Sequence, residues 1–249
     1  MKSTTSFEHI AELWDVKTGD TGSKMISAVK VTAKHIIAEL GPLRGKRIYE
    51  IACGNGFIAR KLAKQAKEVR ASDISKSLIE IAKTKYDSKN ISYEVRDAID
   101  FKGIPENHFD SVIIHQGIFY IENLDALAKG IYKILKPSGS VIFSNMHPLM
   151  YVADLDINPK LELKEVLDKY KLYLKNRKIT VKKNWWVGKE LKPAEYLQFK
   201  RPFSYYVNTF AKHGLVTTKI VEPTTVTMLK LKIYNSVIPS ALIIKCTKI

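Results

Sequence analysis

The chain has 249 residues, 45% of them hydrophobic, which is enough to bury one sizeable core, and 41 basic against 25 acidic residues leave a formal charge of +16. Two cysteines, Cys53 and Cys246, argue against a disulfide framework or a cysteine metal cluster, and no metal site is expected. Met1 to Ser6 lacks the apolar centre of a signal peptide and no apolar run is long enough to span a bilayer, so the expectation is a soluble, cytoplasmic protein without a membrane partner.

In chain order, Phe7, Ile10, Ala11, Leu13 and Trp14 have the spacing of a short amphipathic helix. The Gly19 to Gly22 turn breaks it, and Ser23 can cap a second helix to Leu40 that buries Ile26, Val29, Ala33, Ile36, Ile37 and Leu40. From Lys46 onward, short apolar runs alternate with helix-length segments. Strands are predicted at 47–51, 69–73, 91–95, 109–115 and 139–145, and helices near 56–66, 75–86 and 123–135. Lys136-Pro137-Ser138-Gly139 stops the last of these helices, because proline cannot continue it and glycine turns the chain.

The first strand, Arg47 to Ile51, runs through the acid Glu50 into Ala52-Cys53-Gly54-Asn55-Gly56, and that turn opens a helix. Glycines there let a ligand approach the main chain while helix-start N–H groups face it. A second strand ends in Asp73 about 20 residues after the turn, where a carboxylate holds a ribose diol in doubly wound sheets.

These residues resemble the class I S-adenosylmethionine-dependent methyltransferases, whose first motif runs acid-x-Gly-x-Gly-x-Gly and stands here as Glu50-Ile51-Ala52-Cys53-Gly54-Asn55-Gly56. Ala52 replaces the usual first glycine, and Glu50 stands where Asp is commoner. Since alanine disfavours positive φ, the turn is expected to sit slightly differently. The resemblance continues through Asp73-Ile74-Ser75, Arg96-Asp97-Ala98, Phe109 to Ile114 and Leu135-Lys136-Pro137-Ser138-Gly139. It implies an α/β fold with a doubly wound, mostly parallel seven-stranded sheet whose last strand is antiparallel. Around it the chain 1–249 would form a single domain with an N-terminal helical lid (1–40) and an inserted substrate cap (149–202) after the fifth strand.

Cofactor contacts implied by the resemblance are Glu50, Ala52, Cys53, Gly54 and Gly56 at the turn, Asp73 and Ile74 at the ribose, and Asp97 and Ala98 at the adenine. His115 and Trp14 complete that set. Cys53 reads as a small packing residue, not a nucleophile, and Asp110, at the start of its strand, as structural. His147 and His115 lie at predicted strand ends, where a neutral imidazole can take an acceptor's proton; both also read as packing or hydrogen-bonding residues. His9, His35, His108 and His213 have no such placement.

Residues 149–202 break the rhythm, with helical spacing around Leu161 to Leu174, a polar stretch, then Trp185-Trp186 and Tyr196-Leu197-Gln198-Phe199. Between Asp156 and Arg201 stand thirteen Lys or Arg against six Asp or Glu. A helix is predicted from Phe203 to His213, ended by Gly214, and strands at Leu215 to Val221 and Ala241 to Cys246. A narrower resemblance, to bacterial small-molecule methyltransferases, rests on His147-Pro148, Arg201 to Tyr206, Gly214 and Glu222-Pro223. It makes Tyr205, Tyr206 and Trp186 candidates for the substrate pocket.

The expected reaction is methyl transfer from S-adenosylmethionine to oxygen or nitrogen of a small molecule, leaving S-adenosylhomocysteine. An RNA acceptor held by the basic cap is the second reading, since the lysines are spread without the arginine runs of a dedicated nucleic-acid module. A non-catalytic cofactor-binding or scaffold protein is the third.

Overall fold

A computed structural model describes residues 5–18, 27–85, 89–147, 163–187, 190–223 and 241–249. Its sheet is built from β1 (Arg47–Ile51), β2 (Glu68–Asp73), β3 (Ile91–Val95), β4 (Phe109–Ile114), β5 (Leu135–Met146), β8 (Leu215–Val221) and β9 (Ala241–Lys248). The strand order is β3-β2-β1-β4-β5-β9-β8. The first five strands pair in parallel, whereas β9 is antiparallel to both β5 and β8. The inverted final strand expected from the sequence therefore sits inside the sheet.

The central strands are apolar on both faces because helices cover both. Ile48, Ile113, Ile142 and Ile243 face one cluster with α3 (Ser27–Leu40), α4 (Phe57–Ala63) and α5 (Lys76–Lys85). Their chain neighbours Tyr49, Val112, Ile114, Val141, Phe143, Leu242 and Ile244 face the other, with α6 (Leu124–Ile134) and α8 (Phe203–Lys212). The two-residue period of a strand thus sorts consecutive residues into two cores. Asp110 is structural, as expected: it accepts from the Arg47 N–H at 2.7 Å and pairs with Lys136 at 2.6 Å, joining the amino ends of β1, β4 and β5.

Two segments depart from expectation. The N-terminal helix is two pieces, α1 (Thr5–Glu8) and α2 (Ala11–Thr18); Ser23 and the Gly19 to Gly22 turn lie outside the described residues. In the cap, the helix is α7 (Leu163–Tyr173), but the stretch read as polar is half of an antiparallel hairpin, β6 (Arg177–Val187) with β7 (Glu190–Lys200). The high charge of β6 masks its alternation. Val181 and its partner Tyr196 face inward onto Ile10, Leu13 and Ala194, while the next pair, Lys182 with Glu195, faces solvent. Among the described residues, no helix is long and apolar enough to cross a membrane.

Candidate active site

The strand order reverses between β1 and β4, and the crevice outside their carboxyl ends is where open α/β sheets hold ligands. A cavity of about 480 Å³ opens there, walled by the segments that follow β1, β2, β3 and β4 and roofed by Phe7 and Trp14 from α1 and α2.

The turn after β1 is pinned from the neighbouring strand. Cys53 N–H donates to Ser72 O at 2.9 Å, and Gly54 N–H donates to Asp73 Oδ2 at 2.8 Å, while Asp73 Oδ1 accepts from Ser75 N–H at 2.9 Å. Asp73 is therefore both a cavity wall and the peg of the turn. Burial raises its carboxyl above the ordinary range, against the opposing pull of the Ser75, Gly54 and Ile74 N–H groups. Glu50, just behind, is 2% exposed and its Oε2 has no hydrogen-bond partner. Desolvation pushes it up to about 8, opposed by the Ala59 N–H and the Arg60 charge.

Glu50, Ala52, Cys53, Gly54, Asp73, Ile74, Asp97, Ala98, His115 and Trp14, all expected from the sequence, line this cavity together. Gly56 does not: with φ +75 it stands at the N-cap of α4, and a Cβ there would lie 2.5 Å from Tyr93 Oη. Its glycine serves helix entry and packing. Ala52 adopts φ +56 despite its Cβ, so the turn keeps the left-handed conformation that alanine was expected to avoid. Burial drives the Cys53 thiol well above its ordinary value, which fits a packing residue.

His115 lies against α3. Its Nε2 is 2.8 Å from Thr32 Oγ1, and that hydroxyl donates to Val29 O at 3.1 Å, which leaves Nε2–H as the donor. Burial pushes the ring down to about 4, so it is neutral near pH 7 and a weak base. The structure does not bring His147 to the cavity: it is buried at the end of β5 with Nε2 2.8 Å from Glu222 Oε1. Nor do the expected substrate residues reach it. Tyr206 is 1% exposed in the core beside Phe143 and Phe210, because the helix stripe that contains it faces the sheet. Tyr205 lies under the Arg201 guanidinium, 5.4 Å from its ring centre, and Arg201 Nη2 donates to Glu122 O at 2.6 Å. Trp186 stands opposite Leu191 in the hairpin, with its side chain outside the described ones.

The cavity also contains residues that sequence reasoning missed: Phe7, Asn55, Arg96, Gln116, Tyr120 and Glu122. Phe7 packs edge-on against Trp14 and Tyr120, with ring centres 5.3 Å and 4.8 Å away, and Tyr120 meets Tyr196 of the hairpin at 5.7 Å. Polar contacts hold the same two helices. Glu8 accepts from Ser75 Oγ and from the Lys76 and Ser77 N–H groups at 3.1 Å, capping α5, and Asn55 Nδ2 donates to Asp15 Oδ1 at 2.8 Å. Of these, Asn55 and Arg96 stand inside the motifs that carry the resemblance and Gln116 lies beside the end of β4, so those three had a signal in the sequence.

A family model described as a methyltransferase domain matches residues 49–143. The chain is similar to the ubiquinone biosynthesis O-methyltransferases of Coxiella burnetii (28% identical over 107 residues, 42% of this chain) and Neisseria meningitidis (26% over 152 residues, 59% of this chain). The Coxiella match spans about half of that relative's length, 45%, and the Neisseria match 63%. A solved structure from Listeria monocytogenes, described as a candidate S-adenosylmethionine dependent methyltransferase, superposes with a TM-score of 0.64 at 22% identity, over 88% of this chain and 99% of that one. Magnesium protoporphyrin IX methyltransferase from Synechocystis, solved with bound S-adenosylmethionine, gives 0.62 at 12% identity over 100% and 98%. The sheet order and the pinned turn agree with the matched span: residues 49–143 match a methyltransferase domain, on the fold that these solved structures share.

Proposed function

We propose that the chain binds S-adenosylmethionine in this cavity and transfers its methyl group to oxygen or nitrogen of a small molecule. The observation that carries this reading is charge. In a protein of net charge +16, the cavity is lined by Glu50, Asp73, Asp97 and Glu122, and the one cation among its described lining residues, Arg96, is engaged by Glu94 at 3.1 Å and Asp100 at 3.4 Å. Such a wall suits a ligand bearing a sulfonium and an ammonium, and the orphaned Glu50 Oε2 fits the ammonium. Glu50 and Gly54 would hold the amino acid end, Asp73 the ribose, and Asp97 with Ala98 the adenine. Bound there, the cofactor would supply a methyl group activated by its sulfonium for direct displacement by the acceptor's oxygen or nitrogen.

The protein's own part is binding, orientation and exclusion of water. Asp73 keeps the turn and the ribose site in one piece, and the neutral His115 walls the cavity without competing for a cation. Helices α1 and α2 would act as the lid of the expected 1–40 segment, and α7 with the β6–β7 hairpin as part of the 149–202 cap, in one functional unit over 1–249. A small acceptor is supported by the half-enclosed cavity and by relatives named for ubiquinone biosynthesis and magnesium protoporphyrin IX. His147, held by Glu222 away from the cavity, is given no step.

Labelled S-adenosylmethionine incubated with purified protein and a fractionated cell extract tests the reading. Label is expected in the small-molecule fraction, and Asp73→Asn, which keeps a turn-pinning oxygen, is expected to weaken S-adenosylhomocysteine binding at least about tenfold in calorimetry. Unchanged affinity overturns the ribose assignment. The exposed Lys178, Lys182 and Lys192 of the hairpin favour the RNA reading, which instead expects label in RNA and affinity that falls steeply with salt.

A further inference from the structure

We propose that Gln116 orients the methyl acceptor, its side-chain amide oxygen accepting a hydrogen bond from the acceptor's O–H or N–H. This rests on the transfer reading above and assigns a residue to its acceptor side.

Gln116 stands two residues past the end of β4, at the place where the strand order reverses, and it lines the cavity. Its backbone has φ +52, a region that L side chains rarely adopt and glycine enters freely. The conformation is imposed from outside. Gln116 N–H donates at 2.9 Å to the hydroxyl of Ser144, a β5 residue with 0% exposure. Strain of this kind is retained where the fold over-determines it, and it concentrates at functional sites.

Among the described residues the side-chain amide of Gln116 has no hydrogen-bond partner, although the residue is only partly exposed. The neighbouring polar groups of the wall are committed elsewhere: His115 to Thr32, Asn55 to Asp15, and Glu122 to Lys178 at 3.4 Å. An amide is also the suitable chemistry beside a cationic donor. A carboxylate would attract the donor's own charges and an ammonium would repel them, whereas an amide oxygen receives a protic acceptor and fixes the direction of its lone pair. Because an amide takes no proton, Gln116 adds no ionisation of its own to the pH dependence of transfer. The acceptor is accordingly a hydroxyl or amine compound.

The test uses the full chain, tritium-labelled S-adenosylmethionine and an extract filtrate freed of protein and nucleic acid. Gln116→Gly relieves the backbone, so it is expected to keep S-adenosylhomocysteine affinity within about twofold and melt no lower than the native protein, while kcat/KM falls about 10- to 100-fold. Gln116→Glu retains an accepting oxygen and is expected to recover part of that loss, with a new ionisation in its pH profile. Gln116→Gly that transfers within about threefold of the native rate overturns the assignment, as does Gln116→Glu that is no better than Gln116→Gly. Absence of transfer by the native protein despite cofactor binding overturns the transfer reading, and this assignment with it. A native protein that transfers beside an unaffected variant overturns this assignment alone.

Discussion

Ala52 and Gly117 share one space between β1 and β4: a Cβ added to Gly117 would lie 2.7 Å from the Ala52 Cβ. The methyl that departs from the usual glycine of the turn is accommodated because the facing residue has none.

Gly117 has φ −113, which alanine tolerates, so Gly117→Ala tests this fit without a backbone penalty. It is expected to destabilise the protein by about 1–3 kcal/mol through overpacking. Ala52→Gly alone removes a methyl from a residue at φ +56 and is expected to change stability by less than about 1 kcal/mol. The double variant should recover most of the loss, giving a coupling above about 0.5 kcal/mol in urea unfolding; additive effects would show that the methyl does not fill this space.

Glu50 has a folded pKa of about 8 against an ordinary 4.5. Between those values the folded carboxyl keeps a proton that the unfolded chain releases, so its contribution to stability falls as pH rises from 4.5 to about 8 and is level above. Glu50→Gln removes this slope. The variant is expected to gain on the native protein progressively over that window in chemical denaturation, while losing cofactor affinity. A cationic ligand also favours the carboxylate, so binding near pH 7 should release a proton, read as a dependence of the calorimetric heat on buffer ionisation enthalpy.

His115 acts in the opposite sense. Its folded pKa, about 4, lies below the ordinary 6.5, so the unfolded chain takes up a proton first and stability falls as pH drops from 6.5 to about 4. The full effect is up to about 3 kcal/mol. His115→Asn is expected to flatten that segment of the profile relative to the native protein; a difference between the two proteins that stays constant from pH 7 to pH 4.5 would contradict the burial account.

Glu8 joins α1 to α5, whose start borders the cavity. Desolvation works to raise its carboxyl, but the bonds from Ser75, Ser77 and Lys76 outweigh that and hold it below 4.5. Glu8→Ala is expected to lower stability by about 1 kcal/mol, as loss of a helix cap does. Dissociation of S-adenosylhomocysteine, followed by tryptophan fluorescence, should quicken severalfold because α1 and α2 lose an anchor over the cavity. An unchanged dissociation rate would mean that the packing of Phe7 and Trp14 and the Asn55–Asp15 bond hold these helices without Glu8.

The sheet was legible because each strand states its own burial. A strand covered on both faces is a short apolar run, and Arg47–Ile51 and Phe109–Ile114 sit within a residue of their expected spans, as does the edge strand Ile91–Val95, in which Tyr93 alone is buried. Hairpin β6–β7 was not legible, since strands with one solvated face and a lysine surplus lose the apolar run that marks a strand. In the site, Glu50, Gly54, Asp73 and Asp97 were found because strand, turn and strand-end acid are local in sequence, and a parallel sheet necessarily brings such ends together.

By itself, then, the sequence determined the class of fold, the glycine turn and the acids around it, all properties of short segments and their order. Only the tertiary structure decided which histidine faces the cavity, that Tyr206 points into the core, that Phe7 and Gln116 line the cavity, and that Glu8 caps the helix beside it. Those outcomes depend on contacts between segments far apart in the chain, such as Glu8 with Ser77 and Gln116 with Ser144, and on which side of a helix its packing buries. No local pattern encodes a partner that arrives from elsewhere.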